Sequence, residues 1–384
     1  MPLFSTLFIG KSNKLARLVQ KRNLCVTGLR ISEFDPNTAF LALAEALEED
    51  LIGYGLCVSP KQPLTSISFV MPVLNEEKHL RTAVSSIFEQ KGVEKGQIEV
   101  ILAIGPSTDG TKEVAEALKL EYPVTIVSNP TGKTPAGLNL AIKAAKNDVI
   151  VRVDAHSQLS PYYTSLALQI LNETGAANVG GVMKALGETP FQQAVAWAYG
   201  SRFGLGGGAY HVGGSAGPSD SVYLGVFRKE ILEKLGGFDE KMIRGQDWEL
   251  NLRIRESGEQ VWFDPRLEVT YYPRSSIRKL TRQFFDTGAW RAQLTKAHIN
   301  RANLRYFAPP VLVLGVTAGL IGTITGVLGT LGLIPLIAYL TGVLLLSVSS
   351  LSLGLKAKLA LMVALPAMHF SWGSGFIAGL FFRR

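Results

Sequence analysis

The sequence predicts an α/β fold with a mostly parallel sheet, followed by C-terminal transmembrane helices. Two observations carry this prediction. Between residues 67 and 154, short β-branched runs alternate with stretches whose apolar residues fall on one helical face, the pattern of βαβ units. From Tyr306 to Phe382 the only charges are Lys356 and Lys358, and residues 311–353 carry none. That uncharged run is about twice the ~20 residues one bilayer crossing needs.

Ile67-Ser-Phe-Val-Met is predicted as the first strand, closed by Pro72. Leu80, Ala83, Val84, Ile87 and Phe88 then recur at i, i+3, i+4, i+7 and i+8, which makes one buried helix face. Residues 98–104 are a second strand, Thr108-Asp109-Gly-Thr opens a second helix, and residues 124–127 form a third strand. Thr134 is predicted as an N-cap with Pro135 at the first helical position, and Leu138, Ala141, Ile142 and Ala145 are the buried stripe. Val149, Ile150, Val151 and Val153 make a fourth strand that delivers Asp154, with His156 two residues on.

A carboxylate and an imidazole just past the carboxyl end of such a strand lie where open α/β sheets bind ligands. Asp oxygen and His nitrogen suit a divalent cation, Mn²⁺ or Mg²⁺, also bridged by phosphates. The plainer alternative is a turn in which Asp154 caps the helix starting near Pro161.

All 31 acids and all but four of the 39 bases lie upstream of Tyr306, so that part carries only +4 of the chain's +8. An ordinary balance of this kind is no nucleic-acid footprint. Cys25 and Cys57 lack metal-type spacing and fit reduced thiols of a cytosolic domain. Residues 1–31 hold six bases and no acid, as either an interfacial arm or a leader would, and residues 1–63 are left unassigned. The apolar tail divides at 329–335 into spans over 311–329 and 332–353. A third segment, 359–382, is interrupted by Pro366 and a polar patch; it spans, re-enters or lies at the interface. Arg291, Lys296, Arg301 and Arg305 crowd the start of the first span, which puts the preceding domain on the cytoplasmic side of the inner membrane.

Four motifs carry a resemblance. Phe69-Val-Met-Pro-Val-Leu-Asn-Glu-Glu, Ser107-Thr-Asp-Gly-Thr, Arg152-Val-Asp-Ala-His and Gly245-Gln-Asp-Trp-Glu-Leu resemble, in that order, the family 2 glycosyltransferases. Gly132-Lys-Thr-Pro-Ala-Gly-Leu-Asn followed by Val-Arg-Val-Asp-Ala-His is similar to the ExoA type of succinoglycan biosynthesis. The resemblance covers about residues 64–295. It implies a GT-A fold (that of nucleotide-diphospho-sugar transferases) over 64–285, an amphipathic interfacial segment over 286–306, and a membrane domain over 307–384.

The resemblance also implies roles. Pro72, Asn75, Glu76, Asp109, Lys133 and Asp154 would hold the nucleoside-diphosphate sugar, and Asp154 with His156 the metal. Asp247 would be the base that takes the acceptor hydroxyl's proton in one inverting displacement. Many relatives carry Asp just after the second strand, whereas this chain has Ile104-Gly-Pro. The plainer readings are an N-cap for Asp109, a solvated charge for Lys133, and helix-terminus satisfaction by Asp247 or Glu249.

Gly204, Gly206, Gly207, Gly208, Gly213 and Gly214 make a loop read as acceptor-side or as a flexible insert. Arg278, Lys279, Arg282 and Arg291 with Phe284, Phe285 and Trp290 fit an amphipathic helix against membrane lipid. The expected activity is sugar transfer from a nucleoside-diphosphate donor, by resemblance UDP-linked, to a polyprenyl-linked saccharide for surface polysaccharide. The rivals are transfer to polyprenyl phosphate itself, processive synthesis, and a non-catalytic sugar-nucleotide-binding scaffold.

Overall fold

In a computed structural model the described residues are 63–206, 208–242, 244–297 and 304–381. The expectations for residues 1–62, both cysteines, Arg301 and the terminal arginines lie outside them.

The predicted strand–helix alternation forms. β1 (Ile67–Val73), α1 (Leu80–Phe88), β2 (Ile98–Ile104), α2 (Thr111–Glu121), β3 (Val124–Ser128), α3 (Thr134–Ala144) and β4 (Val149–Arg152) follow in order. β5 (Gln158–Leu159), α4 (Tyr163–Thr174), β6 (Asn178–Ala185), α5 (Pro190–Tyr199), α6 (Ala209–Val212), β7 (Gly217–Pro218) and β8 (Tyr223–Arg228) come next. The α/β part closes with α7 (Lys229–Lys234), α8 (Gln246–Glu256) and β9 (Val261–Tyr271). The sheet runs β3-β2-β1-β4-β8-β6-β9-β5, with β7 beside β9. β3, β2, β1 and β4 are parallel, as predicted. β8 is antiparallel to both β4 and β6, so the second half makes the sheet mixed.

β1 alternates its faces into two cores. Ile67, Phe69, Met71 and Val73 meet α1, α2 and α4 on one side, while Val70 meets α3 and its neighbours on the other. The strand runs through Pro72 instead of closing there. Val70 accepts the Val153 N–H and Val73 accepts the Gly105 N–H, so alternate residues address β4 and β2. Pro72 falls on the β4 side, one step beyond the last paired residue, Arg152. The missing N–H therefore costs no ladder bond. At α3 the N-cap is Lys133 and Thr134 is the first helical residue with Pro135 behind it, so the helix begins one position earlier than predicted.

Beyond the sheet lie α9 (Ile277–Ala297), α10 (Ala308–Ile324), α11 (Ile334–Ser349) and α12 (Leu355–Phe381). With short 3₁₀ turns included, three helices of 21, 21 and 27 residues are long and apolar enough to cross a membrane. The last is unbroken through Pro366. Its polar patch turns to protein partners: His369 is bonded to Tyr339 and to the Gly204 carbonyl. Ile321, Ile324, Leu345, Val348 and Leu359 remain more than half exposed, the composition of a lipid-facing surface.

α9 runs continuously across the expected boundary at 285/286. Its apolar face is spent on protein. Cβ atoms on Gly288, Gly375 or Gly379 would overlap backbone atoms of Trp372, Phe285 or Ala289, so α9 and α12 approach backbone to backbone. A third core joins Met183 and Ala194 of the α/β part, with Leu280 and Phe284 of α9, to Val343, Leu361, Leu365 and Met368 of the apolar helices. Gly375→Val is expected to destabilise the protein by roughly 1–3 kcal/mol through overpacking. Thermal unfolding in detergent reads this directly, and an unchanged midpoint would rule out the α9–α12 contact.

Candidate active site

The loops after β1, β2 and β4 converge at one edge of the sheet and are knitted together. Asn75 sits at φ +57°, a conformation Asn tolerates. Its N–H donates to Ser107 Oγ at 3.0 Å, and its Oδ1 accepts the Thr108 N–H at 2.8 Å. The Glu76 N–H donates to Thr111 Oγ1 at 2.8 Å, and the Glu77 N–H to Asp109 Oδ2 at 3.2 Å. Asp109 also accepts from the Thr111 backbone and hydroxyl, and the hydroxyl contact holds its carboxyl below the ordinary range. Asp109 is thus a loop latch at the start of α2, whose capping residue is Gly110. Lys133 is exposed at the neighbouring edge, where Gly132 takes φ +63° and packs on Pro106. Gly105, the first residue after β2, packs against Leu74 and Gly132.

Arg152 is the centre of the site. It is the last residue of β4, and its side chain is only 6% exposed. Its Nη2 donates to Asp154 Oδ1 at 3.2 Å and its Nη1 to Asp247 Oδ1, ninety-five positions away. Burial alone would lower the Arg152 pKa, but Asp247 and Asp154 outweigh it and raise it above the ordinary value. A buried guanidinium of this kind is stable only with such partners. Asp154 and Asp247 therefore share one cleft, bridged by one cation.

His156 lies beside them. Its Nδ1 is 3.0 Å from Glu76 Oε1, and this hydrogen bond, against burial, holds the imidazole above its ordinary pKa. Glu76 thereby fixes the ring orientation, a support that metal-binding imidazoles regularly have, and leaves Nε2 as the nitrogen that could ligate. Among the described residues no cluster of three or more His, Cys, Asp or Glu could hold a metal unaided. Asp154 and His156 fit a divalent ion only as a partial set that donor phosphates and water complete. On the far side Tyr223, Tyr271 and Tyr199 form an aromatic wall, with ring centroids 6.5 and 5.8 Å apart in sequence of contact.

Asp247 is held by its helix. Gly245, at φ +76°, opens α8, and Asp247 lies in its first turn. Asp247 and Glu249 are the acids of that first turn, and Asp247 turns its carboxylate to Arg152. Glu249 is taken by Arg253, which also bonds the Leu235 and Gly237 carbonyls and staples α8 to the end of α7. A buried chain of Asn178, Asn251 and Ser221 ties α8 to the sheet.

The comparisons with known proteins follow this geometry. The sequence profile described as "Glycosyl transferase family 2" matches residues 68–236. Over 326 residues the chain is 29% identical to the succinoglycan biosynthesis protein ExoA of Rhizobium meliloti (strain 1021), covering 83% of this chain and 97% of that protein. Residues 68–236 thus resemble the family 2 glycosyltransferases, and over most of its length the chain is similar to ExoA.

It is also 26% identical over 328 residues to a Methanococcus voltae protein, covering 82% of this chain and 97% of that one. That protein is named dolichyl N-acetyl-alpha-D-glucosaminyl phosphate 3-beta-D-2,3-diacetamido-2,3-dideoxy-beta-D-glucuronosyltransferase. The mannosyltransferase PcManGT of Pyrobaculum calidifontis, solved with GDP-Man and Mn²⁺, superposes with a TM-score of 0.52 at 19% identity. That match covers 84% of this chain and 88% of that one, and it agrees with the GT-A fold.

Of the residues singled out from the sequence, Glu76, Asp154, His156 and Asp247 meet around the cleft. Asn75 and Asp109 join the neighbouring loops after β1 and β2, Pro72 lies within β1, and Lys133 is exposed. The residue the sequence reading passed over is Arg152. Its signal was a charge inside a run of valines, which has to find acids in the fold. Arg152→Gln leaves two carboxylates adjacent without their cation, and is expected to cost about 2–3 kcal/mol of stability. Thermal melts with Arg152→Lys alongside test this; Lys rescues poorly because one ammonium replaces a two-pronged donor. Melting of Arg152→Gln at the unmodified temperature would disprove the bridge.

Proposed function

We propose that this glycosyltransferase moves a sugar from a nucleoside-diphosphate donor to a polyprenyl-linked saccharide, with inversion, at the cytoplasmic face of the inner membrane. The observation that carries the reading is Arg152 bonded to both Asp154 and Asp247 at the carboxyl edge of the sheet. It supports a cleft that can hold a diphosphate on one side and a base on the other. The loops of Pro72, Asn75, Glu76 and Asp109 bind the nucleotide end, and Lys133 reaches toward phosphate.

Asp154 and His156 would hold Mn²⁺ or Mg²⁺, which supplies positive charge for the diphosphate and its departure. The reported complex of the fold relative with GDP-Man and Mn²⁺ supports a divalent ion in this role. Arg152 contacts Oδ1 of Asp247, and among the described residues no other group bonds its second oxygen. That oxygen takes the proton of the acceptor hydroxyl as the hydroxyl oxygen attacks the anomeric carbon. The bond from the anomeric carbon to the phosphate oxygen breaks, and the nucleoside diphosphate leaves with the electron pair. One displacement converts an α-linked donor into a β-linked product.

The lipid-linked acceptor rests on the relatives' names, succinoglycan biosynthesis in one and a dolichyl-phosphate-linked sugar in the other. The apolar helices packed on α5 and α9 support delivery of such a lipid to the cleft.

Asp247→Asn is expected to lower transfer by roughly 10²–10⁴-fold, the ordinary contribution of a general base. Donor affinity, read by calorimetry, is expected to stay near that of the unmodified protein. Transfer at the unmodified rate would remove Asp247 from the role of base. Asp154→Ala is expected to weaken donor binding at least tenfold in Mn²⁺ and much less in EDTA. Equal affinities of the two proteins in Mn²⁺ would take Asp154 out of the metal site.

A further inference from the structure

A cavity of about 370 Å³ lies between the glycine-rich loop and the apolar helices, beside the cleft but outside the groups assigned so far. One end is lined by Arg202, Arg291, Arg305 and His211, the other by Pro309, Met368 and Trp372. No carboxylate among the described residues lines it.

The Arg291 guanidinium is held between aromatic rings, 5.4 Å from the centre of Trp248 and 4.6 Å from that of Tyr306. Arg305 faces Tyr306 at 5.3 Å. The ring faces hold the Arg291 guanidinium in place without supplying a hydrogen-bond acceptor. Arg291 Nη1 and His211 Nδ1 are buried with no hydrogen-bond partner. Buried polar atoms of this kind are rare and costly, and they mark this end of the cavity as one whose polar capacity the protein leaves unspent. Burial, with Arg305 nearby, pushes the His211 pKa down to about 4, so the ring is neutral and adds a polar contact without charge.

Placement narrows the ligand. A cavity with fixed cations at one end and apolar transmembrane residues at the other suits an anionic head on an apolar chain. Trp248, which carries Arg291, directly follows Asp247 in α8. An anion bound at Arg291 thus lies next to the proposed base, within reach for the sugar it carries. The glycine-rich loop is tied to the apolar helices through the Gly204 carbonyl and His369, itself bonded to Tyr339 at 2.9 Å.

We infer that this cavity binds the phosphate end of an isoprenoid lipid phosphate, with Arg291 and Arg305 on the phosphate oxygens and the chain running along α10 and α12. The inference rests on the sugar-transfer reading and names how its acceptor is recognised. The shared chemistry is a phosphate ester on an apolar chain, which bulk anionic phospholipid also offers.

The test uses the full chain in neutral-lipid nanodiscs, with tryptophan fluorescence as the readout, since Trp372 lines the cavity and Trp248 packs against its Arg291. Farnesyl diphosphate is expected to bind at least tenfold tighter than farnesol. Phosphatidylglycerol and inorganic pyrophosphate are each expected to compete at least tenfold more weakly than farnesyl diphosphate. Arg291→Gln is expected to remove most of the preference for the diphosphate over the alcohol, and Arg291→Lys to restore part of it.

Equal affinity for farnesyl diphosphate and farnesol in the unmodified protein would overturn the inference, and that comparison needs no variant to fold. Competition by phosphatidylglycerol at equal strength would assign the site to bulk lipid and overturn it as well. Nucleotide-sugar binding to the same discs is measured separately. Its absence would count against the transfer reading alone, whereas loss of the head-group preference counts against this site.

Discussion

A single buried guanidinium sets the geometry of this protein. Arg152 ends a strand whose other residues are apolar, and its charge is tolerable there because Asp154 and Asp247 meet it. The requirement works in both directions. The cation needs two acids, so α8 has to dock where Asp247 reaches β4, and the acids can stand close together because the cation lies between them. A site assembled from residues ninety-five positions apart is thereby made part of the fold's own stability. The Asn178–Asn251–Ser221 chain and the Arg253 staple serve the same docking from farther back along α8.

The second constraint couples that sheet to the apolar helices. Glycines at 288, 375 and 379 let α9 and α12 touch along their backbones, and the third core carries the contact from Met183 and Phe284 into Leu361 and Met368. A catalytic domain tethered by a loose linker would sample many heights above a bilayer. Here α9 is shared by both parts, so the cleft is set at one distance from the helices long enough to cross the membrane.

What could be read from the sequence follows from how local each signal is. The helix face of Leu80, Ala83, Val84, Ile87 and Phe88 and the strand at 98–104 are local patterns, and both form with the expected limits. Pro72 was misread because its cost depends on where β4 ends, which the β1 sequence does not contain. The break expected at Pro366 is absent because His369 finds Tyr339 and Gly204, partners on other elements. The close packing of α9 on α12 was not legible for a similar reason, since the partner of Gly288 lies at Trp372. At the site, Asp154, His156 and Asp247 stand in motifs and were legible one by one. Their bridge was not, because pairing between Arg152 and Asp247 is a property of the fold. Glu76 was legible as a site residue, but its role toward His156 appears only in three dimensions.

The central claim is that Asp154, Arg152 and Asp247 make one cleft around a single donor molecule. The most direct measurement is a cryo-EM or crystal structure of Asp247→Asn protein with intact nucleoside-diphosphate sugar and Mn²⁺. The expected result has the diphosphate at Asp154 and His156 and the anomeric carbon turned toward residue 247, with room for an acceptor oxygen at the ~3–3.5 Å of a near-attack geometry. A donor bound away from Asp154, or with its anomeric carbon facing away from residue 247, would contradict the account.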